Sequence, residues 1–122
     1  MKAAIQKFVA SNEYYFEEGC YINELYNTPD DPGLSVVRAR VLSGEITRWH
    51  RLQGISERYV IQAGSGSVEV EGLPATTVVA GDVVIIPPGA GQRICNSGSE
   101  DLVFLAICTP RFMPQAYEDI EP

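Results

Sequence analysis

The chain has 122 residues, 45% of them hydrophobic and 20% charged, with a formal net charge of −7. That length suits one domain with its own core, and the acidic balance argues against a nucleic-acid partner, which needs a basic face. No apolar run is long enough for a membrane-spanning helix, so the expectation is a cytoplasmic protein with no membrane or nucleic-acid partner.

Charge is distributed unevenly. Both lysines lie in the first seven residues, and residues 35 to 113 balance seven arginines against seven carboxylates. The surplus acid lies in the flanks, between Glu13 and Asp31 and between Glu118 and Glu121, where it reads as solvating charge. The N-terminal stretch lacks the apolar run of an export signal. Cys20, Cys95 and Cys108 show neither metal nor redox spacing and read as reduced thiols.

In chain order, Ile5, Phe8 and Val9 are spaced for one short turn of helix. Beyond residue 12 the pattern is β throughout. Strands are expected at Tyr21 to Tyr26, Ser35 to Leu42, Ile46 to Leu52, Glu57 to Gln62, Ser67 to Glu71, Thr76 to Val79, Val83 to Ile86, Gln92 to Asn96 and Leu102 to Cys108. Glycine- and proline-rich turns separate them: NTPDDPG, QG, AGSG, EGLP, AGD, PPGAG and NSGSED. Short strands with hairpin-length connections mean an all-β sandwich or barrel. From Pro110 onward three prolines suggest an extended strap across the barrel, anchored by Phe112 and Tyr117. Tyr14, Tyr15, Tyr21 and Tyr26 make the N-terminal flank aromatic, which suits either a homodimer interface or packing on the chain's own barrel.

Two stretches carry more than a fold class. Gly44-EITRW-His50-Arg51-Leu52-QGIS-Glu57-RYVIQA-Gly64 and Gly81-DVVII-Pro87-Pro88-Gly89-AG-Gln92-RIC-Asn96 resemble the cupin motifs G(X)5HXH(X)3,4E(X)6G and G(X)5PXG(X)2H(X)3N, with 16 residues between them. The resemblance implies an all-β cupin barrel, jelly-roll-like, of two antiparallel sheets. It frames the chain as one cupin domain over 1–122, with motifs within 44–96, an N-terminal extension over 1–34 and a C-terminal strap over 109–122.

In metal-binding cupins the matching positions are His, His, Glu and His. Here they are His50, Leu52, Glu57 and Gln92, and His50 is the only histidine. If the resemblance extends to an ion (Mn, Fe, Zn or Ni), its ligands are His50, Glu57 and Gln92, and Leu52 contributes none. If it does not, His50 is an acid–base residue with Glu57 or Tyr59 as its partner. A carboxylate at position 57, pointed into a small barrel, needs a cation or a proton; Arg51 or Arg58 could supply the cation. Arg48, two residues from His50, either binds an acidic substrate or lies in water. Gln92 is as suited to bonding barrel backbone as to a ligand, and Tyr59 to packing as to the pocket. The function that this resemblance implies is a cupin acting on a small organic molecule, an anion among the candidates, as an isomerase, lyase or epimerase. The alternative is a binding or sensing module that uses the same pocket without turnover.

Overall fold

Alternation of side chains decides the architecture. The computed structural model describes residues 1–122 and contains eleven strands: β1 (Tyr14–Phe16), β2 (Cys20–Tyr26), β3 (Ser35–Val41), β4 (His50–Leu52), β5 (Ser56–Ala63), β6 (Ser65–Val70), β7 (Thr76–Val79), β8 (Val83–Ile86), β9 (Gln92–Cys95), β10 (Leu102–Thr109) and β11 (Tyr117–Asp119). Burial follows period two along β3, β5, β6 and β10, so every second residue faces the interior. Two antiparallel sheets enclose that interior. One runs β1-β2-β3-β10-β5-β8 and the other β11-β4-β9-β6-β7. Val41, Ile61, Ile94, Leu102 and Phe104 form the apolar centre between them, each 1% exposed or less.

Two glycines are required by the closing of this barrel. Gly64 turns β5 into β6 at φ +78°, and a Cβ there would lie 2.5 Å from the Asp101 carbonyl oxygen. Gly66 has an ordinary φ, but a Cβ would meet the Cys95 carbonyl oxygen and the Leu102 side chain at 2.8 Å. The first serves a turn and the second a close approach.

Three expectations need correction. The first dozen residues contain only a single 3-10 turn, Ala10–Asn12, because Ile5, Phe8 and Val9 stay exposed and so short a helix has no packing to offset its nucleation. The strand expected over Ile46 to Leu52 shrinks to His50–Leu52. Arg48 gives its amide to the Glu18 carbonyl at 2.8 Å instead of to a ladder, and Thr47 bonds to Ile94. Alternation therefore breaks, with Thr47 buried and Arg48 exposed. The tail is more than an extended strap, since after a 3-10 turn at Pro114–Ala116 it becomes β11 and pairs with β4, Asp119 opposite His50.

Phe112 and Tyr117 do anchor the tail, packing against the small apolar cluster of Leu52, Ile55 and Cys108. The tyrosine flank divides. Tyr21 packs edge-on to Tyr15 and under the Arg40 guanidinium, whereas Tyr14 and Tyr15 remain largely exposed.

Candidate active site

His50 is held at the inner end of β4, 1% exposed. Its Nδ1 lies 2.7 Å from the Arg48 carbonyl oxygen. A carbonyl only accepts, so Nδ1 carries a hydrogen and a neutral ring has its lone pair on Nε2. That Nε2 lies 3.0 Å from Glu18 Oε1. Two acceptors at this distance require a proton between them, from either a carboxylic acid or an imidazolium. Burial lowers the His50 pKa and raises that of Glu18 to about 7, so desolvation favours the neutral arrangement, with the Glu18 O–H donating to Nε2. Tyr117 stacks on the imidazole, ring centroids 5.4 Å apart and planes 21° from parallel.

Glu18 is the residue that sequence reasoning missed, because it belongs to an acidic flank that reads as solvating charge. It sits in the turn between β1 and β2, followed by Gly19 at φ +105°. A Cβ on Gly19 would lie 3.3 Å from the Ile46 carbonyl oxygen. The glycine thus lets the turn come against the segment before β4, where the Arg48 amide fastens it. Cys20 Sγ lies 3.5 Å from Glu18 Oε2. The only local signal is a Glu-Gly pair in a turn, which by itself points to no site.

The second carboxyl, Glu57, faces inward from β5 and is 8% exposed. No arginine meets it: Arg51 pairs with Glu118, and Arg58 bonds to the Thr109 hydroxyl. Gln92 Nε2 donates to Glu57 Oε1 at 2.8 Å, and the Tyr59 hydroxyl donates to Gln92 Oε1. Tyr59, Gln92 and Glu57 thus form a chain running from β5 through β9 and back to β5. Burial, reinforced by the negative charge of Glu18, pushes the Glu57 pKa up to about 7. Tyr59 is raised well above the ordinary phenol, first by burial, and stays protonated as a donor.

This donor set does not suit the ion that the motif suggests. Gln92 turns its NH2 toward Glu57 and commits its oxygen to Tyr59, so it offers the carboxyl a donor where a metal needs a ligand. Of the three ligands that the resemblance implies, Gln92 here serves to orient the Glu57 carboxyl. Leu52 faces inward and offers no lone pair.

His50, Glu57 and Glu18 open onto a cavity of about 60 Å³, eleven of whose fifteen lining residues are hydrophobic. His50, Glu57 and Tyr59 are buried at its deep end, and Tyr14 and Glu24, both exposed, mark its mouth. Arg48 is not part of the lining. It is exposed and ion-paired with Asp119 at 2.5 Å, so the idea that it meets an acidic substrate in the pocket does not survive the broken alternation of residues 47–49. Arg111 donates to Asn27 Oδ1 at 2.9 Å and is not part of the lining either.

Comparison with known proteins agrees with this architecture. The family described as "Cupin domain" matches residues 37–108, more than half of the chain. Similar solved structures include KdgF from Halomonas sp., at 19% identity over 86% of this chain and 94% of that one, with a TM-score of 0.74. A predicted oxalate decarboxylase from Thermotoga maritima is 26% identical over 75% of this chain and 80% of that one, TM-score 0.68. Pac13 from Streptomyces, a nucleoside dehydratase, is 19% identical over 97% and 92%, TM-score 0.77. No curated protein matches. The chain belongs to the cupin family.

Proposed function

We propose that this cupin acts on a small molecule by proton transfer between side chains, in the manner of an isomerase, lyase or epimerase. Glu57 is the base, and the Glu18–His50 pair is the acid. The observation that carries the reading is the 3.0 Å contact of His50 Nε2 with Glu18, made while Nδ1 is already committed to a backbone carbonyl. One proton is thereby shared between a buried imidazole and a half-buried carboxyl, ready for delivery to an oxygen on which negative charge develops.

Two carboxyls of similar strength near neutrality are suited to opposite roles, since each populates both forms there. Gln92, held by Tyr59, orients Glu57 to take a proton from the substrate. His50 accepts or returns the Glu18 proton as the reaction proceeds. The apolar walls exclude water, which strengthens each of these interactions. Pac13, whose fold this chain shares, is a nucleoside dehydratase, so a barrel of this shape hosts chemistry of small molecules.

The test is exchange of carbon-bound hydrogen with D2O across a panel of small hydroxy and carbonyl compounds, followed by NMR. Wild-type protein should exchange at least one member of the panel, and His50→Gln or Glu57→Gln should slow it by roughly a hundredfold or more. Exchange that survives His50→Gln removes the proposal. Stabilisation by a compound with no exchange would leave the binding module as the function.

A further inference from the structure

The charge of the cavity says what kind of molecule it accepts. Glu18, Glu24 and Glu57 line it, and no lysine or arginine does. The nearby arginines are engaged elsewhere: Arg38 and Arg40 with Glu13, Arg48 with Asp119, Arg51 with Glu118. Glu57 is more than nine-tenths buried, and while Oε1 accepts from Gln92, its Oε2 has no nearer partner than the Cys108 thiol at 3.9 Å. That is too long for more than a weak interaction. A buried carboxyl thus presents to the cavity an oxygen with no strong donor. Around it the walls are aromatic, with Tyr14, Phe16, Phe104 and Phe112 among them.

We propose that the ligand is a small organic cation, a primary ammonium on a short apolar body, with its charged head at the Oε2 atom of Glu57 and its body against the aromatic walls. This rests on the reading of the cavity as the ligand site. An ammonium supplies the donors and the positive charge that a desolvated carboxylate lacks, and aromatic faces attract cations further. An anion would meet three carboxyls with no lysine or arginine to compensate them. A volume of about 60 Å³ corresponds to a handful of waters, and so to a body of roughly four to six non-hydrogen atoms.

The titratable groups that face Glu57 are Glu18, His50, Tyr59, Cys20 and Cys108. None is cationic at neutral pH, since burial lowers the His50 pKa. Ammonium binding should therefore favour the ionised Glu57 carboxylate and tighten as pH rises from 6 to 8.

Calorimetric titration of the full chain with n-propylammonium chloride, sodium propionate and 1-propanol decides the matter. Propylammonium should bind at least tenfold more tightly than either of the others at pH 8, more weakly at pH 6, and at least tenfold more weakly to the Glu57→Gln protein. Gln is close in shape to Glu, and near-ultraviolet circular dichroism checks its fold. Should that variant not fold, the ranking of the three probes on wild-type protein still decides. Propionate or propanol binding as tightly as propylammonium overturns the charge class alone. Absence of binding by all three overturns both the cation and the cavity as ligand site. Propylammonium binding unaffected in a folded Glu57→Gln protein also overturns the proposal.

Discussion

Two clusters of buried polar side chains sit in this barrel, and they are satisfied in different ways. Around Asn96 every partner is backbone. Its Nδ2 donates to the Val41 and Glu100 carbonyls, its Oδ1 accepts from the Gly98 amide, and nearby Thr47 accepts from the Ile94 amide. Around His50 most partners are other side chains: Glu18, and the chain Tyr59–Gln92–Glu57. The first cluster contains no ionisable group and takes no part in the cavity lined by His50 and Glu57. The second contains two carboxyls pushed to about 7 and lines one. A backbone-satisfied polar group fixes a loop, and its cost of burial is met by folding alone. A side-chain network that still holds titratable protons is retained at some expense to stability, which is the reason to read it as functional.

The largest effect should come from the structural cluster. Asn96→Ala leaves the buried Val41 carbonyl and the part-buried Glu100 carbonyl and Gly98 amide without this partner, and should cost about 3 kcal/mol. Urea denaturation measures this. A loss below about 1 kcal/mol would mean that the Asn96 cluster is not what holds the loop.

The functional cluster should reveal itself through pH. Glu18 and Glu57 are raised in the folded protein from an ordinary 4.5 to about 7. Over that interval the folded state holds protons that the unfolded state has lost, so stability present below about 4.5 falls as pH rises through 7. By linkage this is about 3 kcal/mol for each carboxyl. His50, lowered by burial, contributes in the opposite sense, its share being present above 6.5 and lost as pH falls through its folded value. Two carboxyls against one imidazole leave a net decline toward alkaline pH. Glu57→Gln and Glu18→Gln should each flatten the slope of stability against pH between 5 and 8, whereas Asn96→Ala should lower the whole curve without changing its slope. A wild-type curve that is flat across this range would erase the distinction between the clusters.

A smaller effect is expected from Tyr59→Phe, which removes the donor to Gln92 and leaves that amide oxygen unmatched in the interior. The loss should be about 1–2 kcal/mol, accompanied by slower D2O exchange as Glu57 loses its orientation. The smallest comes from the outer side of β4. Arg51 pairs with Glu118 where both side chains are exposed, and Arg51→Ala should leave the melting temperature within error of wild type. A marked drop would show that the β11 strap is latched by charge and not by Phe112 and Tyr117.

Strand positions were legible in the sequence because alternation and glycine-rich turns are local. VVRARV and LVFLAIC each bury alternate residues, as the pattern implies. The inward faces of His50, Glu57 and Gln92 were legible for the same reason, as was the turn at Gly64. Glu18 and the stacking of Tyr117 were not, and the outward turn of Arg48 was one of two readings left open. Each depends on partners distant in the chain: the Glu18 carbonyl on the Arg48 amide, Tyr117 on Leu52 through β11, and Arg48 on Asp119.

By itself, then, the sequence determined the all-β class, the order of nearly all the strands and which side of the sheet the motif residues occupy, since these follow from a period of two and from backbone dihedrals. Only the tertiary structure decided the chemistry of the site. Whether Gln92 shows its oxygen or its nitrogen, whether Glu57 meets an arginine, and which carboxyl reaches His50 are set by contacts between segments 30 or more residues apart, where desolvation and shared protons, not local propensity, dictate the outcome.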